Sequence, residues 1–294
     1  MSVTAVWMVG SPLAASPDYS WAFEPGPILL LAAFGGLYVP RWVRVRRDDG
    51  PLAAPVWRLC AYVAGLVVLF VALVSPLDAL VEQAFAPHML QHMLLLDVAP
   101  VLFMLGLTKI LLRPATRRLM ALERAVGVLA HPWVAVVLYV LVVWVWHIPA
   151  AYDVALENPT IHVIEHVSLL SVGLLYWWHL LSPIRSRFRE GALAPLLYMA
   201  ATKLGVGVLG IGLTFAPRSL YPYYQARESI WGLTADGDQQ LAGAIMALEQ
   251  SLVMGIVLVY LIVRALERSE REQQRRDLLI DRLEQGGRAD ATQP

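Results

Sequence analysis

Apolar stretches long enough to cross a bilayer recur seven times in this chain, and that recurrence excludes most folds otherwise open to 294 residues. They run over 26–43, 57–76, 88–112, 131–148, 161–181, 192–215 and 241–263. A helix of about 17 to 25 apolar residues spans a hydrocarbon core roughly 30 Å thick, because in lipid each backbone amide must be satisfied within its own segment. With 58% hydrophobic and 16% charged residues, the composition suits a polytopic membrane protein and not a soluble domain. The expected fold is therefore all-α, a bundle of seven transmembrane helices in contact with membrane lipid.

The charges give this bundle a direction. Formal net charge is zero, so nothing in the total points to nucleic acid or an acidic substrate; the placement carries the information. Arg41, Arg44, Arg46, Arg47 and Arg58 flank the first connection. Lys109, Arg113, Arg117, Arg118 and Arg124 flank the third, and Arg185, Arg187 and Arg189 the fifth. Seven more arginines follow the last span, whereas the opposite loops hold only Arg218 and Arg227. Lys and Arg collect on the cytoplasmic side of short loops, which places the N-terminus outside and the C-terminus in the cytoplasm. Three regions follow: an extracytoplasmic segment over 1–26, a membrane domain over 27–263 and a charged cytoplasmic tail over 264–294. The first 26 residues lack Lys and Arg ahead of an apolar run, so they are expected to be a mature N-terminus, with a signal cleaved near Ala14-Ala15 as the alternative. The outer loop 216–237 holds Tyr221, Tyr223, Tyr224 and Trp231, which are expected to anchor at headgroup level. The tail is expected to form a charged helix ended by Gly286-Gly287. The lone Cys60 excludes an intrachain disulfide and any Cys-x-x-Cys motif.

Five of the seven histidines fall at span ends that this orientation brings to the outer face: His88, His92, His147, His162 and His166. His88 and His92 are four apart, so both imidazoles share one helical face and can chelate one ion. His162 and His166 repeat the interval, with Glu165 between them, and His147 ends the fourth span in Trp144-Val-Trp146-His147. Imidazoles from three helices at one level can supply a metal site or hold haem; hydrogen-bonded structural histidines or a pH-responsive cluster are the plainer readings. Met89 and Met93 form a thioether stripe beside the first pair, although methionine also fills cores. Met246 lies on a polar stripe of span seven, and Asp238 and Gln239 open that span, where they could accept the second N–H of ligating imidazoles. Asp97, Lys203 and Glu249 lie at mid-bilayer depth, where an unpaired charge costs roughly 3 kcal/mol or more. Lys203 is expected to pair with Glu249 or Asp97, as a structural bridge or as part of a proton or ion relay. Gly205, Gly207, Gly210 and Gly212 permit close helix approach.

Taken together, several motifs resemble one family. They are Pro87-His88-Met89-Leu90-Gln91-His92 leading to Ala99-Pro100, Trp146-His147-Ile148-Pro149 with Tyr152, and His162-x-x-Glu165-His166 leading to Tyr176-Trp177-Trp178. Leu220-Tyr221-Pro222 and the run from Asp238-Gln239 to Met246 complete the set. The resemblance, over about 27–263, is to the multi-spanning CtaG family of bacterial cytochrome c oxidase assembly factors. It implies a multi-pass protein of the bacterial inner membrane, without catalytic residues, that serves the biogenesis of a haem-copper respiratory oxidase. The implied role is to help copper reach the buried copper centre of the oxidase's catalytic subunit, with a copper donor protein as a further partner. The histidines at 88, 92, 147, 162 and 166 match the family's motifs; imidazole and thioether ligands suit copper. Two rival readings remain. His162-x-x-Glu165-His166 also fits an intramembrane zinc hydrolase, with Glu165 activating a zinc-bound water. Alternatively, His88 or His92 faces His162 or His166 across a haem.

Overall fold

The computed structural model describes residues 16–184, 188, 194–227 and 230–290, and among these there is no strand. Six helices are long and apolar enough to cross a membrane: α1 (Pro25–Asp48), α2 (Val56–Leu73), the composite Phe85–Gly106, α9 (Pro159–Leu181), α10 (Ala194–Phe215) and the apolar part of α12 (Ala235–Asp290). A seventh crossing requires the bent pair Lys109–Ala130 and Pro132–Trp146, whose halves meet at 68°. The expected seven spans are thus six, or seven if that pair counts as one.

The third stretch is not one helix to residue 112. It consists of α4 (Phe85–Met93), a π-helical turn at Leu94–Val98 and α5 (Ala99–Gly106). Leu107 then turns extended, and Thr108 caps α6 (Lys109–Val126) by accepting the Leu111 N–H at 3.1 Å. The free carbonyls at this break are taken by other helices. Arg58 donates to Leu105 O at 2.9 Å and Leu107 O at 2.5 Å, Arg41 to Ile110 O at 3.0 Å, and the Tyr38 hydroxyl to Gly106 O at 2.8 Å. Two arginines read as topology markers therefore also satisfy helix-end carbonyls. The basic segment expected as a loop is the amphipathic helix α6, followed by a 3-10 turn and α7 (Pro132–Trp146), which His131 caps through Nδ1.

Between the long helices lie three short ones on the side of the histidines: α3 (Pro76–Val81), α8 (Pro149–Glu157) and α11 (Pro222–Gln225). The core joins α1, α2 and α5 through Tyr38, Tyr62 and Phe103, with Tyr38 and Tyr62 stacked at 3.6 Å. Close approach is set by glycine where it matters. A Cβ on Gly173 of α9 would overlap the backbone carbonyl of Leu96, and one on Gly243 would lie 2.6 Å from Thr214 N.

Contacts divide the chain into two units, Met1–Gln250 and Ser251–Pro294. In the second, the helix continues through Asp290, so Gly286-Gly287 does not end it. Within that unit Arg264 donates to the Tyr260 hydroxyl at 3.1 Å, and Arg271 pairs with Glu267 at 3.1 Å one turn back. The signal-cleavage alternative near Ala14-Ala15, Arg185, Arg187 and Arg189, and the last four residues lie outside the described residues.

Candidate metal centre

The centre begins with how α4 starts. Its N-cap residue, Ala84, has no side-chain acceptor, so the first amides look elsewhere. The Asp238 carboxylate, from the start of α12, accepts Phe85 N–H at 2.5 Å and Ala86 N–H at 2.9 Å. A carboxylate there also meets the positive end of the helix. From this fixed start, His88 and His92 fall on one face, both wholly buried. Gln91, on a neighbouring face, donates to Ala72 O and to Asp78 Oδ1, each at 2.7 Å, tying α4 to α2 and α3. Burial pushes the Asp78 carboxyl up to about 6, against the opposing effect of its Gln91 hydrogen bond. α9 starts as firmly: Asn158 accepts from Thr160 N–H and Ile161 N–H, and Pro159 occupies the first turn. The i, i+3, i+4 spacing then turns His162, Glu165 and His166 toward α4.

Four side chains converge. Donor atoms of His88, His92, Glu165 and His166 all lie within 4.8 Å of one another, so the group could hold a metal ion. Glu165 is wholly buried between the two pairs, with Oε1 3.4 Å from His92 Nε2 and Oε2 3.8 Å from His88 Nε2. His162 and His147 flank this group. Ring centroids are 5.3 Å apart for His88 and His162, 4.2 Å for His162 and His166, and 6.2 Å for His92 and His147.

The electrostatic signature is a set of buried lone pairs without donors. His88 Nε2, both ring nitrogens of His92, His162 Nε2, His166 Nε2 and both oxygens of Glu165 have no hydrogen-bond partner among the described residues. Each such orphan costs about 1–3 kcal/mol, and a cation is what that many inward-facing lone pairs would accept.

The tautomers suit ligation. Burial raises the Tyr224 phenol above its ordinary range, so it keeps its proton, which it donates to Val81 O at 2.8 Å. The Tyr224 oxygen, 3.1 Å from His88 Nδ1, is then the acceptor of that nitrogen's proton, with the Tyr152 hydroxyl against the same nitrogen. Nε2 of His88 keeps its lone pair toward Glu165. His147 is fixed the same way: Nδ1 donates to Val143 O at 2.7 Å, and Nε2 faces Met89 Sδ at 3.2 Å. Met93 and Met246 are buried, but neither contacts an imidazole nitrogen among the described residues.

Several sequence expectations change here. Asp238 and Gln239 do not orient imidazoles: Asp238 caps α4, and Gln239 accepts Leu220 N–H at 2.7 Å while donating to Arg218 O. The aromatic loop over 216–237 is not uniformly a headgroup anchor. Trp231 is exposed, but Tyr221 and Tyr224 are buried and, with Phe85 and Tyr152, pack over the histidines. Phe85 and Tyr221 centroids are 4.5 Å apart, Tyr152 and Tyr221 4.7 Å, and the Tyr221 hydroxyl donates to His147 O at 3.1 Å. Lys203 forms no ion pair with Glu249 or Asp97; it donates instead to Ala247 O at 2.9 Å. Sequence reasoning missed Tyr224 as a partner of His88. Its available signal was three tyrosines within four residues on a loop facing the histidines.

Comparisons with known proteins give the chain a family. A family model described as the cytochrome c oxidase caa3 assembly factor, Caa3_CtaG, matches residues 36–268. The chain belongs to this family. The match covers every residue of the candidate centre described above. A protein of Mycobacterium leprae (strain TN), named only as uncharacterized, is 26% identical over 284 residues, covering 89% of this chain and 42% of that protein. Uncharacterized proteins of Mycobacterium bovis (strain ATCC BAA-935 / AF2122/97) and Mycobacterium tuberculosis (strain CDC 1551 / Oshkosh) are each 25% identical over 289 residues, with the same coverages. The chain thus spans under half the length of these curated relatives. No solved structure matches it.

Proposed function

We propose that this chain is a membrane carrier that holds copper in the His88, His92, His166 and Glu165 group and passes it to the catalytic subunit of a haem-copper oxidase. The observation that carries the reading is the convergence within 4.8 Å of donor atoms from four side chains, three of them buried and His166 partly so, with ring nitrogens and carboxylate oxygens otherwise unpartnered among the described residues. Membership in an oxidase assembly family supports copper over other metals that imidazoles accept. Copper here is cargo, so the donors must both hold it and release it. Three neutral imidazoles supply nitrogen lone pairs, and the Glu165 carboxylate offsets part of the ion's charge where the local dielectric is low. His147 and His162, beside the group, and Met89, against His147, offer the next donors for ligand exchange. A copper donor protein would load the site from outside, and the acceptor would dock from within the membrane plane. The chain would lie in the bacterial cell membrane with its N-terminus outside.

The test is metal analysis of the full chain purified in detergent. The expected result is about one copper per chain, lost in the double variant His88→Ala/His92→Ala and sharply reduced in Glu165→Gln. Copper content unchanged in both variants would overturn the assignment. In a deletion strain the oxidase subunit should persist without its copper. The zinc hydrolase is kept as a second reading because Glu165 stands between imidazoles, as a water-activating carboxylate would. Zinc with peptidase activity would favour it, and a Soret band would favour haem.

A further inference from the structure

The helix that carries His88 and His92 also carries Asp97, one of three ionisable residues that the copper role leaves unused. Asp97 lies in the π-helical turn Leu94–Val98, a geometry that re-aims side chains and recurs at functional sites. It is wholly buried. Its Oδ1 accepts from the Tyr139 hydroxyl of α7 at 2.7 Å and from Trp177 Nε1 of α9 at 2.9 Å, while Oδ2 has no partner. Glu249 of α12 has both oxygens buried and unpartnered, and Lys203 of α10 spends one proton on Ala247 O. Asp97, Lys203 and Glu249 act on one another electrostatically, yet no carboxylate oxygen lies within 4.0 Å of the ammonium among the described residues. Tyr139 and Tyr176, the latter beside Thr202, are the other titratable groups facing Asp97.

Charge and hydrogen bonding then decide the state. One ammonium and two carboxylates, all ionised, would leave a net negative charge inside the bundle with three carboxylate oxygens lacking donors. One added proton makes the trio neutral. The donors choose its place: two point at Asp97 and none at Glu249, and an anion is the form that donors stabilise. We propose that Asp97, Lys203 and Glu249 form an intramembrane proton-binding site in which Glu249 carries the exchangeable proton and Asp97 is the anion balanced by Lys203. The site is separate from the histidines and does not depend on the copper assignment.

The test is infrared spectroscopy of the full chain in lipid nanodiscs at neutral pH, without metal, in H2O and D2O, with Glu165→Gln as the background of every chain compared, the wild type included, because Glu165 is the other buried carboxyl without donors. The wild type is expected to show a protonated-carboxyl C=O component, shifted in D2O and lost in Glu249→Gln. Asp97→Asn should also lose it, because Glu249 then ionises to pair with Lys203. Lys203→Met should add a second component, because Asp97 loses its counter-charge and takes up a proton. The proposal is overturned by a component that survives Glu249→Gln or Asp97→Asn, or by a Lys203→Met spectrum that gains nothing. Should Glu249→Gln not fold, Glu249→Asp must move the component's frequency; an unmoved frequency overturns the proposal equally.

Discussion

One neighbouring side chain outside the donor set governs what His88 can do. Tyr224 takes the Nδ1 proton and so aims the other nitrogen's lone pair inward. Such partners of ligating imidazoles are worth about 10- to 100-fold in metal affinity. Tyr224→Phe should therefore weaken copper binding by about that factor in a chelator-competition titration, while the exposed Trp231→Phe leaves it unchanged. Asp78, which anchors Gln91, offers a pH test. Because burial raises its carboxyl from 3.8 to about 6, the folded chain holds that proton more tightly than the unfolded chain does. Its stabilising contribution is complete below the unfolded value and is lost as pH rises through about 6. Asp78→Asn should accordingly be more stable than wild type at pH 7, by no more than about 3 kcal/mol in unfolding free energy, and match it near pH 4. A variant less stable at pH 7 would refute that account. Legibility at this scale follows sequence distance. The i, i+4 histidine pairs are local and visible, whereas the Tyr224–His88 and Asp238–Phe85 contacts join residues 136 and 153 positions apart. Glu165 was visible as a neighbour of its histidines, but its central place between two helices was not.

At the scale of elements, the π-helical turn is held in place by a missing side chain. The Leu96 carbonyl lies where Gly173 would carry its Cβ, and backbone cannot move aside as a flexible side chain can. Gly173→Ala should cost about 1–3 kcal/mol, as overpacking does, read as a lower unfolding midpoint. Gly212→Ala, on α10 with nothing within 4 Å of the added atom, should be neutral or stabilising by up to about 1 kcal/mol. Equal losses in the two variants would mean that the α9 contact is not what holds the turn. Hydropathy located the long helices because lipid imposes their length and composition, and it misplaced their interruptions. At the end of α5, Tyr38 and Arg58 reach from α1 and α2 to carbonyls of its last turn, and Arg41 reaches from α1 to one in the first turn of α6. No local pattern records that.

For the molecule as a whole, the unresolved count of six or seven crossings becomes a question about α7. Its 15 residues rise about 22 Å, short of a hydrocarbon core of roughly 30 Å. On the orientation expected from the arginines, the basic, amphipathic α6 ahead of it would lie at the cytoplasmic interface, with α7 entering from the bend. If α7 crosses, the two chain ends lie on opposite sides. Reporter fusions at each end should report the N-terminal end outside and the C-terminal end inside; both on one side would remove α7 from the set of crossings. The arginine asymmetry was legible from sequence because it is a property of loops, but a 68° bend is a property of packing.

Phe85, Tyr152, Tyr221 and Tyr224 pack on one another over the candidate centre, on the side of its short helices. If the proposed ion lies beneath these rings, its exit on that side waits for them to part, and the tempo of hand-over there belongs to the chain's own breathing. A more eager recipient would not hurry it; warmth, or a smaller residue among the rings, would.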